Sequence, residues 1–143
     1  MASDRAPMAI ADLEAYLRRE FAQMFRDFRI DAGPPLRLCL PADERHLRPG
    51  NTISGPAMFG LVDVSFYVTL LAEIGPQALA VTTNVSIDFM RKPPGDRDLY
   101  AETRLLKVGR ALAVGDVLVF SEGLEKPVAR AGVTYSIPPS QGA

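Results

Sequence analysis

The chain has 143 residues, 48% of them hydrophobic and 23% charged, with a net charge of −1, which is the profile of one globular domain with a substantial core. Charge this balanced excludes a basic nucleic-acid surface as the expected partner, and a single cysteine, Cys39, excludes an intrachain disulfide or a multi-cysteine metal site. The N-terminal segment "MASDRAPMAIADLEAYLRRE" holds no long apolar run after a basic start, so no signal peptide is expected and the expected location is cytoplasmic.

In residues 9–28 the apolar side chains Ile10, Leu13, Leu17, Phe21, Met24, Phe25 and Phe28 recur at steps of three and four. This spacing predicts one amphipathic helix. "DAGPP" breaks the chain, "LRLCLP" alternates as a short strand that takes Cys39 into the core, and "ADERHLRPGNT" reads as a polar loop holding the sole histidine, His46. Residues 55–72 follow, small or apolar almost throughout, with Asp63 in the middle. As a helix this segment is about 27 Å long, at the lower limit for crossing a bilayer. It opens on Pro and contains Asp, Ser and Thr, so the expectation is a buried central helix and no membrane partner.

Four strand-like runs complete the chain. "AVTTNVSIDFM" puts Val81, Thr83, Val85, Ile87 and Phe89 on one face and Thr82, Asn84, Ser86 and Asp88 on the other. "RKPPGDRD" reads as a turn, and "LYAETRLLKV", "ALAVGDVLVF" and "VARAGVTYSI" are the next strands; the tail "PPSQGA" is expected to fray. Short connections predict a mostly antiparallel sheet. A helix apolar nearly all round needs cover on every side, which a curved sheet wrapped round it supplies. The expected fold is therefore α+β of the hotdog type, one domain over residues 1–143, with an N-terminal helix in 1–30 and the hotdog body in 35–138.

Two features carry candidate chemistry. Ser54 suits a helix N-cap, and Pro56 suits the first turn, where its missing N–H has no partner to lose. The Gly55 N–H then stands at the positive end of the helix dipole, where it can receive an oxygen gaining negative charge. On local grounds the same residues read equally as an ordinary cap. Asp63 is a candidate general base for water, or a nucleophile toward an acyl carbon; the alternative is a carboxylate that reaches solvent or pairs with an arginine. Gly55 and Asp63 are eight residues apart, about 12 Å along a helix. One reacting carbonyl cannot touch both groups of a single chain, so a site using both is shared between two subunits.

"SGPAMFGLVD" resembles the motif of PaaI-type thioesterases of the hotdog superfamily: His-Gly-Gly, six residues, then Asp, with Leu two before the Asp. Ser54-Gly55-Pro56 stands at the His-Gly-Gly positions, and Leu61 and Asp63 at the Leu and Asp positions. The Thr-rich strand start, the "I-x-F-x-R-x-P" strand end and the "GR" turn are similar too, so the resemblance spans residues 50–137. It departs from the pattern at Ser54 and Pro56, and at the upstream Asn: Arg48 holds the matching offset, with Asn51 close by.

The resemblance implies an acyl-CoA thioesterase. Asp63 would be its base or nucleophile, Gly55 of the partner subunit its oxyanion donor, and Thr82 a hydroxyl that holds the catalytic water, with Asn51 as a further catalytic candidate. It also implies basic side chains on the coenzyme A phosphates, for which Arg91, Lys92 and Arg110 are the candidates. Coenzyme A would be part of the substrate, with no separate cofactor and no metal, and the assembly would be a homodimer or a homotetramer built from dimers. The alternative on the same fold is a non-catalytic protein binding acyl-CoA or aromatic acids.

Overall fold

The computed structural model describes residues 5–139, so the chain ends, including the tail from Ser140, lie outside it. The N-terminal helix is shorter than its periodicity predicts. Helix α1 (Ile10–Glu20) stops at Phe21, whose backbone leaves the helical region (φ −135°, ψ 41°), and a single turn, α2 (Ala22–Phe25), follows. The break turns the Phe21 ring edge-on to Tyr67, with centroids 5.4 Å apart. A short strand that the sequence reading omits, β1 (Arg29–Asp31), comes next, then β2 (Arg37–Leu40), which carries the fully buried Cys39.

The polar loop is more ordered than expected. A 3-10 turn, Glu44–His46, leads into a small hairpin of β3 (Leu47–Arg48) and β4 (Thr52–Ile53). Gly50 (φ 96°) and Asn51 (φ 61°) form its tip, in the left-handed region that Gly and Asn tolerate best. The hairpin delivers the chain to helix α3 (Gly55–Ile74). Strands β5 (Val81–Phe89), β6 (Leu99–Val108), β7 (Leu112–Ser121) and β8 (Ala129–Ser136) follow.

The sheet is antiparallel, in the order β1-β2-β6-β7-β8-β5. Strands β6, β7 and β8 form a meander, but β5 pairs with β8 and not with its sequence neighbour β6. Residues 90–98, of which 91–98 read from sequence as a turn, are therefore a crossing connection. They pass over the start of α3, held by Ile53 N–H to the Pro93 carbonyl (3.2 Å) and Gly95 N–H to the Asn51 carbonyl (2.9 Å). Strand β5 ends up at the sheet edge.

Helix α3 lies against the sheet, as its apolar composition requires. Leu61, Val62, Phe66, Leu70 and Leu71 are fully buried, together with Val117, Val119 and Ala129 of the sheet. A hydroxyl pair, Ser65 Oγ with Thr103 Oγ1 (2.9 Å), links α3 to β6. Leu13 and Leu17 of α1 and Phe25 of α2 are buried in the same core, and α1 packs on α3. The N-terminal segment also supplies donors to carbonyls at the C-terminal end of α3: Ala6 N–H to Ile74 and Met8 N–H to Ala72, at 3.2 and 2.9 Å. Covered on these sides, α3 is the core helix of a hotdog arrangement.

Candidate active site

Ser54 starts α3. Its backbone is extended (φ −72°, ψ 154°), its Oγ accepts the Ala57 N–H at 3.3 Å, and its own N–H is tied to the His46 carbonyl at 2.8 Å. Ser54→Ala is expected to cost about 0.5–1 kcal/mol of stability, readable as a lower urea midpoint with an unchanged slope. Gly55 is the first helical residue. Among the described residues its N–H has no hydrogen-bond partner, as expected for the first turn. A Cβ placed on Gly55 would stand 3.5 Å from Cζ of Phe89, so the end of β5 lies beside the helix start. Gly55 opens onto a pocket of about 660 Å³ whose walls include Arg48, Phe89, Arg91 and Lys92. Arg91 is held there by a 2.6 Å hydrogen bond from its Nη1 to the Pro127 carbonyl.

Asp63 is two turns further on and partly buried. It makes no ion pair among the described residues. Instead its Oδ1 accepts two hydroxyl hydrogen bonds, from Thr82 Oγ1 at 2.5 Å and from Tyr135 Oη at 2.7 Å. Its Oδ2 has no partner among the described residues.

Thr82 reaches Asp63 for a reason that strict alternation hides. The register of β5 on β8 shifts between Thr82 and Asn84: Thr82 pairs with Tyr135, and Val85 with Val133. The extra residue, Thr83, bulges out, is exposed, and turns its Oγ1 to the Thr134 carbonyl (3.2 Å). The bulge flips the strand's parity, so Thr82 shares the helix-facing side with Val85 and Ile87 rather than the outward side with Ser86 and Asp88. The sequence expectation of Thr82 on the polar face is corrected accordingly.

The remaining candidates divide between the two ends of β5. Arg91 and Lys92 follow its last residue, at the Gly55 end. Arg110 is at the β6–β7 turn, beside Leu112, which pairs with Ser136; Ser136 in turn pairs with Val81, at the Asp63 end. Asn51 is exposed at the tip of the β3–β4 hairpin and does not line the pocket at Gly55. Arg48, not among the phosphate candidates, does line it. Tyr135 was missed altogether. Its signal is the alternation Ala129, Ala131, Val133, Tyr135, which sends a phenol inward at the end of the last strand.

The description "Thioesterase superfamily" belongs to the family model that matches residues 50–128, more than half of the chain. The chain belongs to the thioesterase superfamily. A candidate thioesterase from a Silicibacter species is similar over nearly all of both chains, with 57% identity, coverage of 92% and 93%, and a TM-score of 0.84. The E. coli PaaI protein from the phenylacetic acid degradation operon shares the fold at 17% identity, with coverage of 90% and 93% and a TM-score of 0.76. So does a Streptococcus mutans protein solved with acetyl CoA bound, at 21% identity, coverage of 80% and 91%, and a TM-score of 0.69. The search of curated proteins gives no match. Superfamily membership and the neighbour at 57% identity support thioester hydrolysis as the reaction class, and all three neighbours, PaaI among them, share the hotdog fold.

Proposed function

We propose that this superfamily member hydrolyses acyl-CoA thioesters at sites shared between two subunits. The observation that carries the reading is Asp63 itself: a partly buried carboxylate with no cationic partner among the described residues, held by two hydroxyls on one oxygen and bare on the other. A stabilising ion pair would need an arginine or lysine there. A carboxylate meant only to reach solvent would not need two directed donors.

The reaction follows from these groups. Asp63 takes a proton from water while the water oxygen bonds to the thioester carbon, and the carbonyl electron pair moves onto its oxygen. Gly55 N–H of the partner subunit, at the positive end of its helix, stabilises that oxyanion. Collapse re-forms the carbonyl and breaks the C–S bond, and coenzyme A leaves as its thiolate. Direct attack by Asp63, with water then opening the mixed anhydride, uses the same groups.

The dimer rests on β5. Asp63 is hydrogen-bonded to Thr82 at the start of the strand and Gly55 lies beside Phe89 at its end, and Thr82 and Phe89 are themselves about 23 Å apart along β5. Strand β5 is the edge of the sheet, and Val81 and Phe89 on it are about half exposed. Antiparallel pairing of β5 with its copy would set the start of each strand beside the end of the other. That one operation brings Asp63 to Gly55 of the partner subunit, and puts Arg48, Arg91 and Lys92 of the partner subunit where coenzyme A phosphates would lie.

The test is release of free thiol from a panel of acyl-CoAs by the purified wild type. Turnover of at least one acyl-CoA, well above the rate without enzyme, is expected. Tight binding across the panel without turnover would instead assign the chain a non-catalytic acyl-CoA binding role.

A further inference from the structure

We propose that Tyr135 is a positioning residue for Asp63, which with Thr82 claims Oδ1 and so assigns Oδ2 as the oxygen that meets water or the acyl carbon. The inference rests on the reading of Asp63 as the reacting carboxylate and concerns which of its oxygens reacts.

A carboxylate on a helix can rotate about χ2, and its two oxygens are equivalent until something distinguishes them. Here the distinction is built in. Tyr135 is 4% exposed, and its ring stacks on Phe66 (centroids 4.9 Å apart) and on Tyr67 (6.0 Å). The ring cannot swing without unpacking the helix-sheet core, so its hydroxyl is a fixed point. It lies 2.7 Å from Oδ1 of Asp63 and 3.1 Å from the Asp63 main-chain carbonyl. A phenol has one proton to give, and the nearer, charged acceptor is Oδ1.

Thr82 approaches the same oxygen from the facing position on β5, through the bulge at Thr83. Two donors on one oxygen hold the plane of the carboxylate from both strands. Burial, reinforced by the Asp63 charge, pushes the Tyr135 phenol well up, so it stays a donor. A phenol needing only a partner for its own burial could use the main-chain carbonyl and leave the carboxylate to turn.

The test is a set of variants that keep the packing. Tyr135→Phe retains the stacked ring and removes only the hydroxyl; Thr82→Val removes the other donor, and Thr82→Ser restores it. Each loss is expected to lower kcat about ten-fold, with KM within about two-fold of wild type. Losing both is expected to lower kcat by more than the product of the single losses, because either donor alone still marks Oδ1. Thr82→Ser is expected to stay near wild type. In an Asp63→Asn background, Tyr135→Phe is expected to change nothing further.

An unchanged kcat in Tyr135→Phe, or kcat, KM and melting temperature all shifting together, would overturn the positioning role while leaving Asp63 as the reacting group. Turnover that survives Asp63→Asn would remove the reading beneath it.

Discussion

Asp63→Asn is expected to lower kcat about 10²–10⁴-fold on every acyl-CoA that the wild type cleaves. The substitution is close to isosteric, and the reason for so large an effect is local. Thr82 and Tyr135 both donate to Oδ1. An asparagine carbonyl accepts the same two hydrogen bonds, so the side chain keeps its plane and the Nδ2 amide takes the place of Oδ2. That amide neither takes a proton from water nor attacks a carbonyl carbon. The variant therefore loses the chemical step, about 3–5 kcal/mol of barrier, and keeps the frame that holds it.

Melting temperature and KM are the controls. Neither hydrogen bond nor any ion pair is lost at position 63, so the melting temperature is expected to move by only a few degrees. Wild-type turnover in Asp63→Asn would rule out both the base and the nucleophile, and would return Asp63 to a structural part in the Thr82–Tyr135 cluster.

What could be seen in advance follows from the range of the interactions. Helix α3 was legible because its cap, its proline and its apolar run are local. Strands β7 and β8 were legible for the same reason. Asp63 stood out as a carboxylate in an apolar segment. The pairing of β5 with β8 was not legible, because residues 90–98 carry no mark that separates a turn from a crossing.

That missing piece propagated into the site. Without the sheet order, Arg91 and Lys92 could not be assigned to one end of β5 and Arg110 to the other. The resemblance points to Thr82, but strict alternation puts it on the wrong face: a bulge of one residue inverts strand parity and leaves no sign in the composition of "AVTTNVS". The alternation of β8 marks Tyr135 as an inward-facing aromatic, a signal the sequence reading passed over, and its meaning needs the tertiary fact that β8 meets α3 at Asp63. The stop at Phe21 is a similar case, since the helical periodicity runs on through it and only the contact with Tyr67 explains the break.

The proposed sharing of the site between two subunits makes a stricter demand than any single variant. Gly55→Pro deletes the proposed oxyanion donor, and the extended backbone of Ser54 is one that a following proline accepts. Loss of such a donor is expected to cut kcat about 10²–10³-fold, so Gly55→Pro and Asp63→Asn should each be close to inactive alone. Mixed within one dimer they are not equivalent. One site pairs the Asp63→Asn side chain with the blocked helix start and is doubly impaired, while the other joins an intact Asp63 from one chain to an intact Gly55 from its partner. Random pairing of equal amounts makes about half of the dimers mixed, each with one whole site, so about one quarter of wild-type activity should return. Differential tags and co-expression supply the mixed dimer in pure form, where about half of wild-type activity per dimer is expected. Within a single chain the two groups lie about 12 Å apart along α3, and a site confined to one chain would regain nothing on mixing. The recovered fraction therefore separates a site built across β5 from one built within a subunit, whichever acyl group the enzyme prefers.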